Sequence, residues 1–160
     1  MNVLNGLVKI LCIALLSFSI YNFIEISSLI TPVSLDTERA RIVTELREEY
    51  KVSERLALAI YNAHIVYGFD HKFIAELMQS ESGFDPNAIS PKGYKGLMQT
   101  PSKTGYTTVD VMHGTAILKE KFSLYKNPLD AVAAYKGGKN VPLARQQAKQ
   151  MLDNYARSGR

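Results

Sequence analysis

The chain contains no tryptophan and a single cysteine, Cys12, which sits in an apolar run near the N-terminus. One thiol excludes a disulfide framework and a cysteine-based zinc site in whatever folds downstream. The three histidines, His64, His71 and His113, are scattered, and no His-Glu-x-x-His pattern occurs. Metal catalysis is therefore not expected, and no residue is nominated as a metal ligand or as a holder of a cofactor. With no tryptophan, any aromatic platform has to come from Phe84, Tyr94, Tyr106 and Tyr135. Strand signals are weak, and repeats and low-complexity segments are missing. No basic cluster with interleaved aromatics appears, so nucleic acid is not an expected partner.

What is present is ordinary for a globular chain: 46% hydrophobic and 21% charged residues over 160 positions. That length suits one domain plus an N-terminal segment. The formal charge of +4 and a pI near 9.1 fit contact with an anionic polymer, and equally a plain solvated basic surface.

The N-terminal segment holds an uncharged run of 15 residues, Ile10 to Ile24, preceded by Lys9; Glu25 interrupts it, and apolar character resumes from Ile26 to Ile30. The run is short for a membrane span and long for the centre of a signal peptide. No clear small-x-small cleavage site follows. Positive charge before the run and Glu25, Asp36 and Glu38 after it orient the N-terminus inward and the remainder outward. Residues 1–30 are thus expected to form an apolar helix acting as a signal anchor in the inner membrane. A cleaved signal peptide, releasing a secreted protein, is the alternative.

Beyond it, residues 31–52 are read as a linker, Thr31 to Leu35, and a leading helix capped by Asp36 and running to Tyr50. Ser53 can cap a helix over Glu54 to Tyr67. Asp70, following Gly68, can cap another over Lys72 to Ser80. Ser82 to Tyr106 reads as loop, with a short helical or extended piece from Gly96 to Gln99. A helix is expected from Val109 to Lys126. Another, capped by Asn127 with Pro128 at its first position, should end at Gly137-Gly138. A last one should cover Pro142 to Tyr155. The prediction is a mainly α single domain over residues 53–157, packed around a cleft.

Glu81 lies seven residues after Ile74, four after Leu77 and three after Met78, on the face that carries the core-directed residues. Glu76 falls on another face and is expected in water. A carboxylate near a helix C-terminus opposes the helix dipole. Partial burial acts in the same direction, and both favour the protonated form. A lone acid so placed beside a shaped loop suits general acid chemistry, such as protonating the leaving oxygen of a glycosidic bond. Spacing alone fits a solvated residue at a fraying helix end equally well. The loop that follows tips the balance, because Pro86 and Pro91 stiffen it and Gly83, Gly93 and Gly96 open it.

The stretch Glu81-Ser82-Gly83-Phe84-Asp85-Pro86-Asn87-Ala88-Ile89-Ser90, continuing to Gly96-Leu97-Met98-Gln99, resembles the active-site motif of the soluble lytic transglycosylases. Two further blocks are similar to the family's pattern: Asp110-Val111-Met112-His113-Gly114, where the family has Asn-Ile-x-x-Gly, and Ala133-Ala134-Tyr135-Lys136-Gly137-Gly138, where it has Ala-Ala-Tyr-Asn-Ala-Gly. The similarity runs from Val52 to Gln150. Departures are Tyr94 for the usual Ala, Thr100 for Met, Asp110 for Asn and Lys136 for Asn. The last adds a charge close to the expected cleft.

The resemblance implies a lysozyme-like fold, related to goose-type lysozyme, acting on peptidoglycan glycan strands on the periplasmic or wall-facing side of the membrane. It implies cleavage of the β-1,4 bond between N-acetylmuramic acid and N-acetylglucosamine, with Glu81 as acid and then base and a 1,6-anhydro product. It assigns contacts with sugar or intermediate to Ser90, Met98, Gln99 and Tyr135. Asp85, the nearby second acid, is expected to cap a turn. Two alternatives stay open: a lysozyme-like muramidase using water, and a non-catalytic wall-binding protein of a secretion, conjugation or phage assembly apparatus.

Overall fold

The computed structural model describes residues 35–159. The apolar segment expected at residues 1–30, and the linker after it, lie outside the described residues. The chain divides into a first unit ending at Arg41 and a second beginning at Ile42, and the site lies in the second.

Residues 35–50 are helical (α1), so Asp36 lies within the helix and not at its cap. There follow α2 (Glu54–Tyr67), α3 (His71–Ser82), α4 (Thr107–Leu124), α5 (Pro128–Lys136) and α6 (Pro142–Ser158). Among the described residues there is no strand beyond two isolated bridges. None of the described helices is long and apolar enough to cross a membrane.

The expected caps form. Ser53 Oγ accepts from the Leu56 amide, Asp70 Oδ1 from those of Lys72 and Phe73, and Asn127 Oδ1 from that of Leu129. Each satisfies amides that have no partner inside the helix. Boundaries shift by a few residues. α3 runs two residues beyond Ser80, so Glu81 is inside the helix, and α4 starts and ends two residues earlier than its apolar pattern suggests. α6 continues past Tyr155 to Ser158.

α2 packs on α4 and α3, α5 on α6 and α4, and α3 on α6. The core formed between them includes Ile42 and Leu46 of α1, Ile60 of α2, Ile74, Leu77 and Met78 of α3, Val111 and Leu118 of α4, Val132 of α5 and Met151 of α6. Burying a side chain of this size contributes about 1.5–3 kcal/mol relative to leaving it exposed. This fixes α3 so that its C-terminal turn lies beside the C-terminus of α5 and the 83–106 loop.

Candidate active site

α3 stops at Gly83, whose backbone is left-handed at φ 59° and whose amide closes on the Gln79 carbonyl. Glycine adopts that conformation without the steric penalty other residues meet. Glu81 therefore falls in the last turn, with its side chain 12% exposed. Lys136, the last residue of α5, reaches it. Its Nζ is 2.7 Å from Glu81 Oε1 and 3.5 Å from the Ser80 carbonyl oxygen, and its side chain is 3% exposed. Withdrawing two opposite charges from water costs several kcal/mol per ion, which their contact and hydrogen bond offset.

Tyr135 lies beside this pair, but its hydroxyl donates to the Met98 carbonyl oxygen at 2.7 Å. Burial pushes its pKa upward, and the negative charge of Glu81 adds to the shift. Tyr135 thus ties α5 to the Gly96–Gln99 turn while feeling the charge on the acid. Ser82 makes a parallel tie from α3, donating to the Leu97 carbonyl at 2.8 Å.

The loop is built from turns. Asp85 Oδ1 accepts from the Asn87 amide at 2.7 Å, so it caps a turn as expected. Ser90, partly buried, pairs by backbone with Tyr94, and its Oγ accepts from the Tyr94 amide at 3.0 Å. Gln99 is left-handed at φ 47°, and its Nε2 donates to the Ala88 and Gly96 carbonyls. Such a backbone costs a non-glycine residue about 1–3 kcal/mol and persists only where the surroundings hold it. Phe84, also left-handed at φ 66°, packs edge-on against Tyr50.

Met98, expected to contact sugar or intermediate, is 1% exposed, and its side chain lies against Gly114 of α4. A Cβ on Gly114 would stand 2.4 Å from Met98 Cβ, so Met98 shapes the loop from beneath. Glu76 was expected in water. It is buried instead, and Tyr50 Oη donates to its Oε1 at 3.0 Å. Desolvation raises its pKa. Three further residues hold the site without having been singled out for that role: Ser82, Gly114 and Asp110. The Asp110 carboxylate accepts from the Thr104 amide and hydroxyl and the Gly105 amide. The sequence signal was their place within the motifs, which spacing alone could not convert into contacts.

Two clefts adjoin these elements. One, of about 340 Å³, is lined by Gly83, Phe84, Pro86 and Leu97 together with Tyr50 and Leu56. The other, of about 300 Å³, lies by α3, α5 and α6 and is lined by Glu76, Gln79, Ser80, Lys136, Gln147 and Gln150. No cluster of residues able to hold a metal occurs among the described residues.

Glu81, largely buried at the end of α3, is thus faced by a turn-built loop and by the end of α5. The transglycosylase SLT domain family matches residues 59–156, and the chain belongs to that family. It is 37% identical over 78 residues to a membrane-bound lytic murein transglycosylase C of Photorhabdus laumondii, covering 48% of this chain and 22% of the relative. It is 34% identical over 83 residues to a transglycosylase of Enterobacteria phage PRD1, covering 46% of this chain and 31% of the relative. The chain thus matches under a third of the length of these relatives. No solved structure matches it.

Proposed function

We propose that the protein is a peptidoglycan lytic transglycosylase of lysozyme-like fold, with Glu81 as its acid and base. The observation that carries this reading is the placement of Glu81: within the family's motif, at the end of α3, largely buried, where the loop and α5 converge. Glu81 donates its proton to the glycosidic oxygen between N-acetylmuramic acid and N-acetylglucosamine as the bond to the anomeric carbon breaks. The muramic acid's own 6-hydroxyl then attacks that carbon, and the Glu81 carboxylate takes the hydroxyl proton. The product carries a 1,6-anhydro ring, and the acid is restored. One carboxyl group suffices because the nucleophile is already part of the substrate and gains from proximity. Asp85 caps a turn and Glu76 is hydrogen-bonded to Tyr50, so each has a structural role.

Ser90 and Gln99 offer hydrogen-bonding groups to acetamido sugars from the loop. Met98 and Tyr135 act by fixing that loop, the first through packing and the second through its bond to the Met98 carbonyl. The location that follows is the wall-facing side of the membrane.

The test is wall lysis by the purified full-length chain. Glu81→Gln is expected to lower the rate by about 10²–10⁴-fold. Because this change leaves Lys136 without its counter-charge, the double variant Glu81→Gln/Lys136→Met accompanies it and should be equally inactive. Asp85→Asn should retain most activity. Native rates in both Glu81 variants would refute the assignment, and a loss in Asp85→Asn as deep as theirs would favour a two-carboxylate hydrolase.

A further inference from the structure

We infer that the cleft by α3 and α6 is a peptide subsite: it takes, in extended form, the short peptide that peptidoglycan carries on the lactyl group of its muramic acid. This rests on the activity proposed for Glu81, and part of its test needs no cleavage. The cleft, of about 300 Å³, falls at the small end of the range for ligand pockets, roughly 300–1,000 Å³. It opens beside the acid. Ser80 and Lys136 meet in its lining, Nζ to carbonyl oxygen at 3.5 Å. The first precedes Glu81 in the chain, and the second holds its carboxylate at 2.7 Å.

The chemistry of the walls selects the ligand. α3 contributes Gln79, and α6 contributes Gln147, Gln150 and Asn154, whose spacings of three and four residues put them on one face. Gln79, Gln147 and Gln150 are exposed, and among the described residues their carboxamides have no hydrogen-bond partner. A carboxamide carries two donors and an acceptor oxygen, the complement of a peptide unit. The ionisable groups of the lining are already engaged. Lys136 pairs with Glu81, while Glu76 accepts from Tyr50 and its burial favours the uncharged acid. The cleft thus presents neutral amide chemistry. Of the aromatic residues that could carry a sugar ring, Phe84, Tyr94, Tyr106 and Tyr135, none lines it, which sets it apart from a sugar subsite.

The length fits as well. From Gln147 to Asn154 the axis of α6 advances about 10 Å at roughly 1.5 Å per residue. Three residues of extended chain, at about 3.3–3.6 Å each, span the same distance. Arg157, one turn further along α6, donates to Asn154 Oδ1 and forms no ion pair among the described residues. Its positive charge acts on Glu76, so it lies by the part of the cleft away from Ser80 and Lys136. A peptide joined to the sugar beside Glu81 would therefore run along α6 and bring its carboxylate end toward this guanidinium.

The experiment compares full-length wild type with Gln147→Ala and Gln150→Ala, on peptide-bearing glycan strands and on strands stripped of peptide by an amidase. Gln146→Ala, exposed on α6 and outside the cleft, is the control. Wild type should cleave the peptide-bearing strands with the higher kcat/KM. Each cleft variant should reduce that preference by about 2–10-fold, chiefly through KM, as the loss of a neutral hydrogen bond does. Gln146→Ala should keep it. In parallel, lactoyl-tripeptide freed from muropeptides by β-elimination is titrated into each protein, and the side-chain carboxamides are followed by ¹⁵N NMR. The signals of Gln79, Gln147 and Gln150 should shift in wild type, and each cleft variant should bind about 2–10-fold more weakly. Equal kcat/KM on the two kinds of strand, or a peptide that leaves these signals unmoved, would overturn the inference. So would peptide-free strands that move the same signals as far, which would make the cleft a sugar subsite. Wild type that cleaves neither substrate would refute the proposed function instead, and the peptide titration would still decide what the cleft binds.

Discussion

Two glutamates five residues apart on α3 have opposite surroundings. Glu81 meets an ammonium, and Glu76 meets a phenol. Burial raises the pKa of Glu76, so the folded protein holds that proton more tightly than the unfolded chain does. Stability then falls as pH rises from the ordinary carboxylate range through the raised value, because the unfolded state ionises first. Glu76→Gln keeps an acceptor for Tyr50 and removes the ionisation. It should be more stable than wild type at neutral pH, and the difference should vanish below the ordinary carboxylate range. Urea unfolding at several pH values measures this; an equal difference at every pH would show that ionisation of Glu76 has no part in it. Helical spacing marked Glu81 as core-facing, and it is largely buried. The same spacing sent Glu76 to solvent. It could not register that Tyr50, 26 residues earlier, would supply a buried partner. The charge of Lys136 near the cleft was legible, but its contact with Glu81 depends on how the ends of α3 and α5 meet.

At the scale of elements, the helices follow local rules and the loop does not. Ser53, Asp70 and Asn127 cap where short polar residues precede apolar periodicity, so those helix starts could be read from the chain. The 83–106 loop takes its shape from tertiary ties. Ser82 and Tyr135 donate to neighbouring carbonyls of the same turn, and Gly114 lets that turn settle onto α4. The glycine in the second motif thus has a packing reason. A methyl group at 114 would meet Met98 Cβ at 2.4 Å and Cγ at 2.6 Å, and Met98 is fully buried with little room to retreat. Gly114→Ala is expected to destabilise the fold by about 1–3 kcal/mol, as overpacking does, and to lower activity by moving the loop. Thermal unfolding with a parallel lysis assay checks both; an unchanged melting temperature would mean that α4 and the loop are not in close contact.

For the molecule as a whole, a mainly helical architecture was legible because the apolar pattern keeps a helical period in five segments beyond Val52 or bordering it. The outlines of the site were legible because its motif is contiguous, from Glu81 to Gln99. The blocks on α4 and α5 were legible as motifs, but their contacts with the loop were not, because those depend on how helices dozens of residues downstream pack. The proposed chemistry relies on Glu81 alone and uses the substrate's own hydroxyl in place of a second enzyme group. The nature of the new sugar ends tests that directly. Peptidoglycan digested with the full-length chain is analysed by mass spectrometry of the released muropeptides. Muramic acid ends closed as 1,6-anhydro rings, one water lighter than reducing ends, are the expected result. Predominantly reducing ends would show that water is the nucleophile and contradict the transglycosylase mechanism.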